Sequence, residues 1–113
     1  MIRVRYRAED CFLEITGHAG SAPRGQDLIC AGVSALALTL AENVERLARL
    51  GWLAEQEVSL VPGNTRIRCR PKEEYAGTVQ VIFAAVCAGF EVMEERWPGF
   101  VELGVLGHVP AET

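Results

Sequence analysis

No two cysteines of this sequence stand close together. The four lie at positions 11, 30, 69 and 87, with neither a CxxC nor a CxxH among them. A structural zinc site takes its ligands in close pairs, so this spacing argues against a metal, and no cofactor is expected. Histidine is scarce as well: His18 and His108 are the only two. Residues 28–41 carry no charge, but fourteen residues fall short of the roughly 18 that a membrane span needs. Basic residues are not in excess, with 11 Lys and Arg against 15 Asp and Glu for a net charge of −4. That balance argues against nucleic-acid binding as the main function and suits a basic partner. The opening Met1-Ile2-Arg3-Val4-Arg5 alternates instead of forming the apolar block of a signal peptide. A cytoplasmic, reducing compartment with free thiols is therefore expected. Internal repeats and low-complexity segments are missing too.

What is there is the patterning of one soluble domain. At 113 residues the chain suffices for a modest core, and residues 1–113 are expected to form a single domain with a loose tail from about Gly107. Residues 2–7 place Ile2, Val4 and Tyr6 on one side and Arg3, Arg5 and Arg7 on the other, the alternation of a half-buried strand. Residues 11–17 repeat it with Cys11, Leu13 and Ile15 inward, which predicts a hairpin. A long helix is expected over 27–50, closed by Gly51. Strands are expected over 52–61 and 65–70, around the turn Pro62-Gly63-Asn64. A second helix over 73–96 presents Tyr75, Val79, Ile82, Val86 and Met93 to the sheet, a face widened by Phe83 and Phe90, and residues 100–105 read as a short edge strand. The order β-β-α-β-β-α gives an α+β two-layer sandwich: a four-stranded, mostly antiparallel sheet with two helices on one face.

The segment richest in chemistry is Gly17 to Ser34. Asp27 reads as a helix N-cap, because a short carboxylate there accepts from the free N–H groups of the first turn. Cys30 then falls in that turn, where the dipole and unpaired N–H groups favour a thiolate and an oxyanion. His18 ends the preceding strand, and the glycines between fold it back toward Cys30. Cysteine with histidine makes a nucleophile and base. Ser34 lies one turn beyond Cys30 on the same face. Asp27 has two competing roles, capping the helix or holding the His18 imidazole in its productive tautomer. The linking loop, with Gly20, Pro23 and Gly25, is longer than a tight connection needs and reads as a substrate lid.

Gly17-His18-Ala19 followed by Gly25-Gln26-Asp27-Leu28-Ile29-Cys30-Ala31-Gly32-Val33-Ser34 resembles the ribosomal-processing cysteine protease family, Prp. The resemblance implies an endopeptidase that removes a short N-terminal extension from a bacterial large-subunit ribosomal protein, number twenty-seven of its series. It implies His18 and Cys30 as the catalytic pair, with Asp27 and Ser34 in support and the ribosomal protein precursor as substrate. The residues between, Ser21-Ala22-Pro23-Arg24, are smaller and more polar than the family pattern leads one to expect.

A second class of function stays open beside it: a non-catalytic ribosome-associated interaction or assembly module. Arg3, Arg5 and Arg7 together with Arg66, Arg68 and Arg70 hold six of the 11 basic residues on one sheet face. Contact with RNA there is not favoured, since Glu14, Glu55 and Glu57 stand ready to pair with them across strands. The helix over 28–41 is apolar on all sides and needs a second burying partner, either the second long helix or a second copy of the chain; a homodimer is favoured, through Ala31, Gly32, Ala35 and Ala37. Cys11, Cys69 and Cys87 read as core residues.

Overall fold

The protein is described by a computed structural model covering residues 1–17 and 24–105. Its elements are β1 (Ile2–Arg7), β2 (Phe12–Thr16), α1 (Arg24–Arg49), β3 (Leu53–Val61), β4 (Asn64–Pro71), α2 (Ala76–Arg96) and β5 (Val101–Val105). Short 3-10 turns precede β2 (Ala8–Asp10) and α2 (Glu73–Tyr75). The architecture is α+β, as expected, but the sheet has five strands and is mixed, in the order β3-β4-β2-β1-β5. The expected strand number is corrected from four to five, the fifth being the short edge strand over Val101–Val105; the sheet is mostly antiparallel as expected, three of its four pairings being so. Strands β1 to β4 pair antiparallel, while β5 lies parallel to β1 with Ile2 opposite Val101. The turn after α2 delivers β5 there: Phe100 N–H donates to the Trp97 carbonyl at 3.0 Å, and the Phe100 carbonyl accepts from Ile2 N–H at 2.9 Å.

These pairings explain why both helices share a face. β2 and β3 run parallel, joined through α1 over the intervening β4; β4 and β5 run parallel, joined through α2 over β2 and β1. Such crossovers are right-handed almost without exception. The two move in opposite directions along the sheet from strands of opposite orientation, so the same hand puts α1 and α2 on one side. Their inner faces join the strands in one core. Val4, Leu13 and Ile67 from the sheet meet Leu40, Val44, Val79, Phe83 and Phe90 from the helices, all fully buried. The helices also touch each other closely. A Cβ on Gly89 would come 2.7 Å from a Leu36 methyl, and one on Gly32 would come 3.0 Å from the end of Met93. Gly32 and buried Ala37 therefore serve the chain's own packing, leaving Ala31 and Ala35 exposed.

α1 starts at Arg24, three residues before the expected Asp27. Pro23 precedes that start in the sequence, and helices accept proline at their beginnings because no N–H is needed there. Both helices are apolar enough by length and composition to span a bilayer, with mean hydropathies of 1.4 and 1.7. About a third of each apolar stretch is buried in the fold, against the sheet and the other helix. The opposite sheet face is open and charged: Glu14 takes Arg66 at 2.9 Å and Arg5 at 3.6 Å, Arg68 meets Glu57 at 2.7 Å, and Arg70 meets Glu55 at 3.5 Å. Arg3 with Glu102 and Arg7 with Asp10 complete the lattice. The cross-strand pairing expected of the arginine rows is present.

Candidate active site

A cleft of about 390 Å³ opens where the first half of α1 stands over one end of the sheet. Its helical wall carries Cys30, Ser34 and Leu38, spaced by four residues and therefore on one face. Ile2, Ile15 and Gly17 form its base, and residues 60–65 of the β3–β4 hairpin form the opposite wall. Cys30 is half-buried and carries a free thiol. Among the described residues, none of those lining the cleft is charged. A cleft of this size and polarity accepts a few apolar side chains of an extended peptide.

Backbone contacts draw this end of the sheet together. Thr16 is paired with Asn64, and the next residue, Gly17, donates its N–H to the Gly63 carbonyl at 3.2 Å. Gly17 has φ of +90°, a left-handed conformation that costs glycine little, and a Cβ there would run into the Met1 carbonyl oxygen. The chain thus leaves the sheet at the rim of the cleft, and His18 is the next residue in the sequence. His18, Gly20 and Pro23 lie outside the described residues, and so does the loop expected to form a lid. Gly25 and Asp27 fall in the first turn of α1, with the Asp27 side chain outside the described set.

Two expectations are corrected by the position of α1. Asp27 is the fourth residue of the helix and not its N-cap. Cys30 is the seventh, so its own N–H belongs to the i to i−4 ladder and is not among the four free donors of the first turn. The argument that helix-start N–H groups stabilise a thiolate or an oxyanion at Cys30 therefore loses its geometric basis. What survives is the juxtaposition of Cys30 with Ser34 on one wall. The hairpin wall was not anticipated. Leu60 and Val61 are 46% and 54% exposed beside a tight turn, and apolar side chains left uncovered next to such a turn were the available signal.

The cysteines at 69 and 87 are buried at inward positions, and Cys11 is buried just before β2 in a left-handed conformation with φ of +52°. Burial pushes the Cys87 thiol up to about 12, with the neighbouring Glu91 carboxylate adding to the effect. Among the described residues, no three histidine, cysteine or acidic side chains gather to hold a metal ion.

A sequence model of the family described as cysteine protease Prp matches residues 1–102. Among solved structures, the chain is similar to the essential ribosomal processing protease Prp from S. aureus in complex with a substrate peptide, with TM-score 0.71 and 21% identity over 93% of this chain and 99% of that one. The same S. aureus protease with a covalently linked product peptide gives TM-score 0.68 at 21% identity, again over 93% and 99% of the two chains. SMU.848 from Streptococcus mutans gives TM-score 0.63 at 27% identity, over 92% of this chain and 90% of that one. No curated protein sequence matches the chain.

Proposed function

The chain belongs to the cysteine protease Prp family, and from that membership we propose that it removes the short N-terminal extension of a large-subunit ribosomal protein, number twenty-seven of its series, using Cys30 as nucleophile and His18 as general base. One observation carries the assignment of residues. Cys30 and Gly17 line the same uncharged cleft, so the nucleophile faces the point where the chain segment beginning with His18 departs. In this reading His18 takes the Cys30 proton as sulfur attacks the scissile carbonyl, then returns it to the leaving amine. Water releases the resulting thioester, again with His18 as base. Ser34, one turn beyond Cys30 on the same wall, holds the substrate beside the thiol, and Asp27 orients His18. The segment bearing Gly20 and Pro23, between β2 and α1, closes over the bound peptide in this reading. The S. aureus relative, described with a substrate peptide bound, supports the same use of the cleft. The site of action is the cytoplasm, where thiols stay reduced.

The protein acts as a homodimer in this reading. α1 exposes Leu28, Ala31, Ala35 and Leu38; α2 exposes Val81, Ala84, Ala85, Ala88 and Val92. No charge interrupts residues 28–41 or 76–90. A second copy suits this apolar layer better than a bilayer does. Inserting the helices into lipid would carry the sheet and its open edges along with them. An RNA-binding module has less support, because each arginine of the open face already has an acidic partner.

The decisive experiment is mass spectrometry of the precursor ribosomal protein incubated with wild-type protein, Cys30→Ala and His18→Ala. Cleavage at one bond, lost in both variants, is expected. Intact precursor after incubation with folded wild-type protein would overturn the assignment of substrate; cleavage by Cys30→Ala would overturn that of the nucleophile.

A further inference from the structure

Cys30 has no cysteine neighbour, but Cys11 and Cys69 have each other. The β2–β4 register pairs Phe12 with Arg68, and one step further it sets Cys11 opposite Cys69. Cys69 N–H donates to the Cys11 carbonyl at 3.1 Å, so the ladder extends to this pair. Cys11 N–H goes to the Ala8 carbonyl at 3.0 Å, so a single backbone bond joins the pair. Directly opposed residues on antiparallel neighbours have Cα atoms about 4.5–5.5 Å apart, whichever kind of pair they make, inside the range of about 4.4–6.8 Å that a disulfide spans. Their side chains are in hydrogen-bond contact, and both residues are buried, at 1% and 4% exposure.

A second cleft, of about 350 Å³, opens beside Cys69 and is bounded by Arg7, Asp10, Phe12 and Arg68. Cys69 lies on its lining, so a small oxidant entering there arrives at the pair from the Cys69 side. Cys11 is also the only described residue other than glycine with a positive φ. Such a backbone is unusual for a side chain with a Cβ. We infer that Cys11 and Cys69 are a second thiol centre, distinct from Cys30, which a hydroperoxide converts into an intrachain disulfide between the start of β2 and β4. The hydrogen bond from Cys69 holds the Cys11 thiol below its usual range and Cys69 above it, which marks Cys11 as the attacking sulfur.

The chemistry balances. The Cys11 thiolate attacks one peroxide oxygen; an S–O bond forms, the O–O bond breaks, and the departing hydroxide is protonated to water. The Cys69 sulfur then attacks the Cys11 sulfenic acid. The S–S bond forms, the S–O bond breaks, and the hydroxyl leaves as a second water with the Cys69 proton. Both sulfurs are oxidised and one peroxide is reduced. The bond forms at the far end of the same two strands whose other ends border the Cys30 cleft through Ile15 and Asn64, the latter paired with Thr16. Five residues of strand, about 17 Å, separate the two sites. The oxidised protein keeps Cys30 available.

The test uses the full chain with no substitution at the pair. The protein is treated with limiting hydrogen peroxide, quenched, denatured, alkylated and mapped by mass spectrometry, with Cys30→Ser in parallel. Both proteins are expected to lose about 2 Da, the two hydrogens of a disulfide, and to yield one peptide pair joining Cys11 to Cys69. Thermal unfolding without reductant is expected about 10 °C higher than with it. Full alkylation at Cys11 and Cys69, or separate oxygen adducts on each, would overturn the inference.

Discussion

Tyr6 shows what partial burial does to one hydroxyl at the margin of this core. Its OH donates to a Glu91 carboxylate oxygen at 3.1 Å, and burial first, then that carboxylate, push its pKa up to about 12. The folded chain therefore holds the phenol proton more tightly than the unfolded chain, where it leaves near pH 10. The stabilisation is complete below about pH 10 and is lost as pH rises through about 12. Urea midpoints in reductant are expected to fall between those values in wild type and to fall less in Tyr6→Phe; equal slopes would contradict the argument. Leu60 is a residue of the opposite kind, 46% exposed and facing the cleft. Leu60→Asp puts a carboxylate into an uncharged wall, so kcat/KM for the precursor is expected to drop roughly tenfold or more while the urea midpoint holds. At this scale the spacing of Cys30 and Ser34 was legible from the helical repeat alone. The place of Asp27 was not, because a capping residue and an earlier proline are both plausible starts and local sequence does not rank them.

Strands tell a similar story one level up. Glu14 lies in the middle of the open face, its side chain 14% exposed, and bridges Arg5 of β1 and Arg66 of β4 across β2. Removing its charge leaves two guanidinium groups facing each other over one residue. Glu14→Gln is expected to cost about 1 kcal/mol by urea unfolding at low salt, shrinking toward zero at high salt as screening weakens both the lost attraction and the new repulsion. Glu55→Gln, whose partner pair is exposed on both sides, is expected to cost little. These pairings were readable because alternation in β1, β3 and β4 assigns faces without knowledge of strand order. β5 resisted reading for the complementary reason. Its alternation of Val101 and Leu103 is five residues long, and its partner is β1, at the other end of the chain. No local signal reports a parallel pairing created by a crossover helix. The hairpin wall of the cleft was hidden likewise, since Leu60 and Val61 meet α1 only after β3 has been carried past β4.

For the molecule as a whole, the test is what covers the helical layer. Sedimentation is expected to give twice the chain mass for wild-type protein, and Val81→Glu, at a position 67% exposed, is expected to give monomers that remain folded by circular dichroism. A monomeric wild type would leave that apolar layer without the partner argued for it. The other broad surface has a different character. Its six arginines are interleaved with Asp10, Glu14, Glu55, Glu57 and Glu102, each cation within a few ångströms of an anion. Six cations against five anions leave a single net charge, so the potential of such a chequerboard is far weaker at a distance than that of a basic patch of six. Beyond about one Debye length, roughly 8–10 Å in physiological salt, almost nothing of it remains. A face so rich in arginine is thus electrically quiet at a distance, and a polyanion passing outside that range feels no pull toward it.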